Sequence, residues 1–343
     1  MRYPPKPRPG DRVAVLSPSS GLPAIFPEVF ELGLRRLREV FDLVPVEYPT
    51  TRVMDATPPQ RAADLQAAFA DPDITAVLAS IGGDDQITVL RHLDPQLLAA
   101  NPKPFFGYSD NTNLLHYLFG LGVVGYHGGS VMVHLGRGGR LHPAHEASLR
   151  AALFTDDWFE LVPASQWGDE PIDWRDVEHF DREPPMVDSA GWSWRNPGTV
   201  VEGPSWGGNL EIVSWLLQAG FVPPNESFAG HVLFLETSEE MPAAEEVFRF
   251  LRNTGERGLL QQFPAILFGR PKAWTREAAP DAEQRRRYAE DQRAAVERAL
   301  TAYHPDALVV FDVDLGHTDP QVIVPYGGTV RVDGVARRIT VRY

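Results

Sequence analysis

The sequence predicts a layered α/β fold in two units. Short apolar runs alternate with amphipathic stretches through the first half, a non-periodic acidic tract interrupts near the middle, and the alternation then resumes before a β-rich tail. Strand, helix and strand repeated in this way indicate parallel strands joined by crossover helices. With 343 residues, 43% of them hydrophobic and 23% charged, the chain is long enough for two packed cores.

Taken in order, RVAVLSP, LVPVEYP, TAVLASIGG and PFFGYSD read as strands, and VFELGLRRLREV, PPQRAADLQAAFAD, QITVLRHLD and LLHYLFGLG as the helical patterns between and after them. In the first helix Val29, Phe30, Leu32, Leu34, Leu37 and Val40 keep helical spacing, which assigns Arg35, Arg36 and Arg38 to the wet face. Residues 1–165 form the expected first unit. Residues 166–200, rich in Asp, Glu, Pro and Trp, read as a connector or lid. The second unit, 201–343, opens with the helix NLEIVSWLLQAG and continues through the strand HVLFLE, the helix AAEEVFRFLRNTG and the strand AILFGRP. The insertion-like stretch WTREAAPDAEQRRR at 274–287 leads into the last helix, and the strand ALVVFDVD follows. The tail VIVPYGGTVRVDGVARRITVRY, with β-branched residues and Gly turns, reads as an antiparallel finish.

Charge and composition narrow the function. A formal charge of −14 argues against nucleic acid and anionic membrane surfaces, both of which demand clustered Lys and Arg, and favours a small molecule or peptide partner. The absence of cysteine excludes disulfides, thiolate metal sites and cysteine nucleophiles. MRYPPKPRPGDR lacks the apolar core of a secretory signal, and no stretch reaches the ~18 apolar residues that span a bilayer, so a cytoplasmic protein is expected. Neither GxGxxG nor a Walker lysine follows Gly82 and Gly83, and no HxxxH or HExxH occurs; HPAHEA at 142–147 reads as a surface segment. No cofactor and no metal are expected.

In open parallel sheets the reactive groups gather beyond the carboxyl ends of the strands. Those ends carry SIGGDD, GYSDNT, LETSEE and DLGHTDP. Ser109, Glu236 and His317 then supply a hydroxyl, a carboxylate and an imidazole in the chain order used by α/β-hydrolases. Each has a plainer reading: Ser109 as a helix cap, Glu236 as a solvated strand end, His317 as a hydrogen-bonded loop residue. Asn111 stands where the usual GxSxG elbow has its second glycine. Gly82 and Gly83 permit close backbone approach to a ligand and can offer an N–H to an oxyanion, or simply make a tight turn. Trp192 and Trp194, two residues apart, would share one side of an extended loop and with Trp206 could stack a ligand, or anchor the connector instead.

SIGGDDQ, GYSDNT, GGNL, FLETSEE and GHTDP, in this order and spacing, resemble the LD-carboxypeptidase family of serine peptidases over nearly the whole chain, from PGDRVAVLSPSS to VPYGGTVRV. The resemblance implies an N-terminal Rossmann-like parallel-sheet domain and a C-terminal α/β domain with β-barrel-like structure. It implies Ser109 as nucleophile, Glu236 and His317 as its partners, the backbone N–H groups of Asp110 and Gly83 as oxyanion donors, and a homodimer. The tract WGDEPIDWRDVEHFDREPP followed by GWSWRNPG looks like the microcin C immunity branch, which cleaves an amide joining an aspartyl group to a modified nucleotide. The other branch removes the terminal D-alanine of murein tetrapeptide. A reading from a different class is a non-catalytic protein that binds a small ligand in the cleft between two domains.

Overall fold

The first-half strands fold as β1 (Arg12–Leu16), β2 (Val44–Glu47), β3 (Ile74–Ala79), β4 (Phe105–Gly107) and β5 (Gly125–His127), with the helices α1 (Pro27–Glu39), α2 (Pro58–Ala70), α3 (Pro95–Ala100), α4 (Thr112–Gly120) and α5 (Pro143–Phe154) between and after them. The computed structural model describes residues 1–343, apart from the side chains of Val177 and His179. β1 pairs in parallel with β2 and β3, β3 with β4, and β4 with β5, as crossover helices require. The inner strands are apolar along nearly their whole length, and Val13, Ala14, Val15, Val77 and Leu78 have no exposed surface, whereas the edge strand β2 is partly exposed throughout.

The second half adds β6 (Trp158–Leu161), β7 (Gln166–Trp167), β8 (Val187–Asp188), β9 (Ser193–Arg195) and β10 (Val200–Asn209), then α6 (Leu210–Gln218), β11 (Val232–Glu236), α7 (Ala244–Glu256), β12 (Ala265–Gly269), α8 (Ala282–Tyr303), β13 (Leu308–Val313), β14 (Val324–Tyr326), β15 (Thr329–Asp333) and β16 (Arg338–Arg342). An eight-stranded sheet runs in the order β6-β16-β15-β10-β11-β12-β13-β9. Its β10 to β13 portion is parallel, and the tail hairpin β15–β16 extends it antiparallel. The barrel-like part of the expected fold is this open mixed sheet, with β6 at one edge and β9 at the other.

Two strands cross between the halves. β14, from the tail, completes the first sheet against β5, while β6, from before the connector, joins the second sheet through β16. QITVLRHLD, expected as a helix, forms two 3-10 turns, Gln86–Thr88 and Leu90–His92. Gln86 is wholly buried there, its side chain committed to Asn111, Ser19 and the N–H of Leu114. Arg36 departs from the wet face assigned to it. It is buried and donates to the carbonyls of Leu135, Arg137 and Gly139 at 2.8, 2.6 and 2.6 Å, fixing a loop that borders the site. His145, in the supposed surface segment, is also buried, bonded to the Gln321 carbonyl at 2.7 Å and stacked on His134.

Candidate active site

The carboxyl ends of both parallel sheets meet at one cleft of about 520 Å³. Its walls hold Gly82 and Gly83 from beyond β3, Ser109 from beyond β4, Glu239 from beyond β11, Lys272 from beyond β12 and His317 from beyond β13. Front and rear halves therefore contribute reactive groups to the same space. A larger cavity of about 690 Å³, between the eight-stranded sheet and α8, reaches Glu236 from behind but borders neither Ser109 nor His317.

Ser109 begins a 3-10 turn that runs into α4, and its φ of +59° is a left-handed value rare outside glycine. Such strain persists only where surrounding contacts over-determine it. They are present here. Asn111 donates through Nδ2 to the carbonyls of Ile81 and Tyr108 at 3.0 and 3.2 Å and accepts from Gln86 Nε2 at 2.8 Å. The asparagine in place of the second elbow glycine thus ties the serine turn to the Gly82 loop. Asp110 is buried and accepts from the Gln86 N–H at 2.9 Å and from Asn113 Nδ2 at 2.8 Å; burial raises its carboxyl to about 6 against the bonds from Gln86 and the Ser19 hydroxyl. A Cβ on Gly82 would stand 3.0 Å from Ser109 Cβ and 3.1 Å from its hydroxyl oxygen, so a glycine is what lets the two backbones approach.

Glu236 ends β11 at 1% exposure. Gly316 makes room for it, since a Cβ there would lie 2.9 Å from Glu236 Cβ. One carboxylate oxygen, Oε2, meets His317 Nδ1 at 2.5 Å, and the other is buried with no hydrogen-bond partner among the described residues. His317 Nε2 also has a carboxylate, Glu239 Oε2, at 3.0 Å. Burial alone would push the imidazole down, but Glu236 and Glu239 outweigh it and raise His317 to about 10. In this conformation His317 is an imidazolium with both ring nitrogens donating. Tyr108 packs its ring 4.8 Å from that of His317.

Of the site residues expected from sequence, Gly82, Gly83, Ser109 and His317 line the cleft, Glu236 stands behind the imidazole, and Asp110 supports the serine turn. The tryptophans are a correction. Trp206 is 1% exposed, lies flat on Phe263 and donates to His116 Nδ1 at 3.1 Å, all within the core. Trp194 sits opposite Val310 in the β9–β13 pairing, and Trp192 donates to Asp314 Oδ2 at 3.0 Å. Trp194 is thus part of an edge strand and Trp192 lies just before it. A tryptophan that does border the cleft is Trp174, edge-on to Phe26 at 5.3 Å, carried by a connector segment pinned to the His317 loop through a two-way bridge between Gly168 and Asp319. Trp174 lies in the WGDEPIDWRDV tract, whose composition marks it as connector without distinguishing one ring from another.

Residues 13–128 match the LD-carboxypeptidase N-terminal domain and residues 202–332 the LD-carboxypeptidase C-terminal domain. The chain belongs to the LD-carboxypeptidase family. As a member it is a serine peptidase, a hydrolase of amide bonds. This LD-carboxypeptidase homologue is 26% identical to the Microcin C7 self-immunity protein MccF of Escherichia coli over 291 residues, covering 82% of the present chain and 78% of MccF. It is 30% identical to the murein tetrapeptide carboxypeptidase of Pseudomonas aeruginosa over 233 residues, covering 66% of each chain. Its fold is that of wild-type MccF without ligand, with a TM-score of 0.85 at 22% identity over 100% of the present chain and 99% of MccF. The MccF-like protein from Streptococcus pneumoniae, solved with AMP, shares the fold with a TM-score of 0.84 at 24% identity over 97% and 99% of the chains. Among the described residues no helix is long and apolar enough to cross a membrane.

Proposed function

We propose that this LD-carboxypeptidase homologue is a Ser109–His317–Glu236 amide hydrolase of the microcin C immunity kind, acting on an aspartyl or glutamyl group joined to a nucleotide-like leaving group. The observation that carries the reading is the 2.5 Å bond from His317 Nδ1 to the buried Glu236, on the wall of the cleft that also contains the strained Ser109. Glu239 must first leave Nε2, which its largely exposed side chain permits. The Nε2 proton leaves with it, to solvent, and the neutral imidazole, protonated only on Nδ1 towards Glu236, takes the Ser109 proton as Oγ bonds to the scissile carbonyl carbon. The tetrahedral oxyanion is received by the N–H groups of Asp110 and Gly83. Collapse breaks the C–N bond, and the imidazolium delivers its proton to the leaving nitrogen. Water, deprotonated by the same imidazole, then releases the acyl group from Ser109. Glu236 holds the ring in the required tautomer throughout.

The substrate class draws on the MccF relative, which has been solved with aspartyl sulfamoyl adenosine and with glutamyl sulfamoyl guanosine. Trp174 and Phe26 give the cleft an aromatic wall suited to a base, where ring stacking contributes ~1 to 3 kcal/mol. The murein reading keeps its own support in the 30% identity to the Pseudomonas enzyme. Offering the purified protein aspartyl sulfamoyl adenosine and a murein tetrapeptide, with product masses read directly, decides between them. Ser109→Ala is expected to lower turnover of the preferred substrate by about three to six orders of magnitude with folding intact. Near-normal hydrolysis by that variant would remove the serine from the mechanism, and stoichiometric binding without turnover of either compound by the wild type would favour a ligand-binding role.

A further inference from the structure

Beside the cleft, and sharing Tyr108, Lys272 and His317 with it, lies a chamber of about 110 Å³. Buried polar groups in folded proteins are nearly always paired. Three groups on this one small chamber are not: Arg137 Nη2, Thr318 Oγ1 and His134 Nδ1 are buried and have no hydrogen-bond partner among the described residues. The fourth polar wall is Lys272, only 9% exposed, whose ammonium makes one bond, to the Asp169 carbonyl at 2.7 Å. An ammonium has three donors to satisfy.

The charges nearby are already matched, with two exceptions. Asp319 is bonded by Arg137 Nε at 2.7 Å, while Asp169 and Glu170 share Arg285 at 3.0 and 2.7 Å. No carboxylate lies within ion-pair distance of Lys272 among the described residues, although Asp169 and Glu239 act on its charge from farther off, and Arg137, itself 6% exposed, keeps one guanidinium nitrogen unused. What the chamber lacks is an acceptor with several lone pairs and a negative charge, the description of a carboxylate. Its volume suits such a group on an arm of one or two carbons, being the share of about three or four liquid water molecules.

We infer that this chamber is a receptor for a carboxylate carried on a short arm of the substrate, with Lys272, Arg137 and Thr318 as its donors. The inference deepens the hydrolase reading and rests on it for the identity of the substrate. Because the chamber is walled by His317 and adjoins the cleft that Ser109 lines, the arm belongs to one side or the other of the scissile amide. It is either the acidic side chain of an aspartyl acyl group or the free carboxylate of a departing D-alanine. Lys272 and Arg137 reach the chamber from different elements, Lys272 beyond β12 and Arg137 from the loop that Arg36 holds in place. The receptor therefore exists only when both halves are assembled.

Two ligand pairs test this and separate the sources: aspartyl against asparaginyl sulfamoyl adenosine, and a murein tetrapeptide ending in D-alanine against the same peptide ending in D-alaninamide. Binding is measured calorimetrically to the Ser109→Ala protein and kcat/KM to the wild type. One pair is expected to show the acid preferred about 10- to 100-fold, the effect of losing hydrogen bonds to charged groups. That preference should collapse towards one in Lys272→Met and fall several-fold in Thr318→Val, a near-isosteric change that guards against a folding defect in the first variant. Equal binding of acid and amide in both pairs, which is what a chamber occupied by water alone gives, overturns the receptor. So does a preference that survives Lys272→Met. Persistent hydrolysis by Ser109→Ala, by contrast, refutes the nucleophile, while the acid-to-amide ratio in the binding data still supports or overturns the chamber independently.

Discussion

His317 carries a carboxylate on each ring nitrogen, and its chemistry depends on which one it keeps. Glu236 is buried and fixed; Glu239 is on an exposed side chain and replaceable. A base held at about 10 is protonated at neutral pH, so kcat/KM of the free enzyme should climb towards alkaline pH. Glu239→Gln removes one of the charges that raise the imidazole. The acidic limb of the profile is then expected to move to lower pH, with higher kcat/KM near neutrality; an unmoved limb would show that Glu239 does not govern the base. Stability has the matching sign. A histidine raised on folding stabilises fully below its unfolded value of about 6.5 and loses that contribution as pH rises through about 10, while a glutamate lowered to about 2 loses its own contribution below its unfolded value of about 4.5, so denaturant titrations of wild type and Glu239→Gln should differ most between about pH 4.5 and 6.5 and converge at high pH. Ser109, Glu236 and His317 are legible in the sequence because strand ends and chain order single them out. Glu239 is not: nothing local separates the three glutamates of LETSEE, and only the return of the His317 loop chooses among them.

At the scale of elements, the serine turn is held by the strand end before it and by the Gly82 loop beside it. Asn111→Ala removes its bonds to Ile81, Tyr108 and Gln86, and a loss of about 1 to 3 kcal/mol is expected in denaturant unfolding, since a buried amide and two carbonyls lose partners. Gly82→Ala acts differently. Its added methyl crowds Ser109 without meeting a strained backbone, so turnover should fall while the melting temperature moves little. Equal activity in that variant would mean that the hydroxyl can shift aside at no cost to the reaction. Most strands and helices can be read from the sequence because apolar spacing is enforced by burial. QITVLRHLD cannot, because the tertiary bonds of Gln86 override its local pattern. Arg36 defies its local pattern for a related reason: a charged residue on a helix flank can be buried when three carbonyls await its guanidinium.

Across the whole molecule, the exchanged strands β6 and β14 make the two halves mutually dependent. Each sheet is incomplete without a strand from beyond the connector, and His127 of the first half is bonded to the Leu315 carbonyl of the second at 3.0 Å. Thermal unfolding should therefore show a single cooperative transition; two resolved transitions would mean that the halves are separately stable. No stretch of sequence announces this exchange, since a three-residue strand such as Val324–Tyr326 carries no mark of the sheet it will join. The same interlock is what brings a hydroxyl from one half and an imidazole from the other to a common cleft. The most direct measurement of that partnership is a double-mutant cycle on turnover with Ser109→Ala, His317→Ala and the combined variant. If the two residues act as one unit, the combined variant is no slower than either single one. If the two losses multiply instead, the groups act independently and Ser109 and His317 are not partners in one triad.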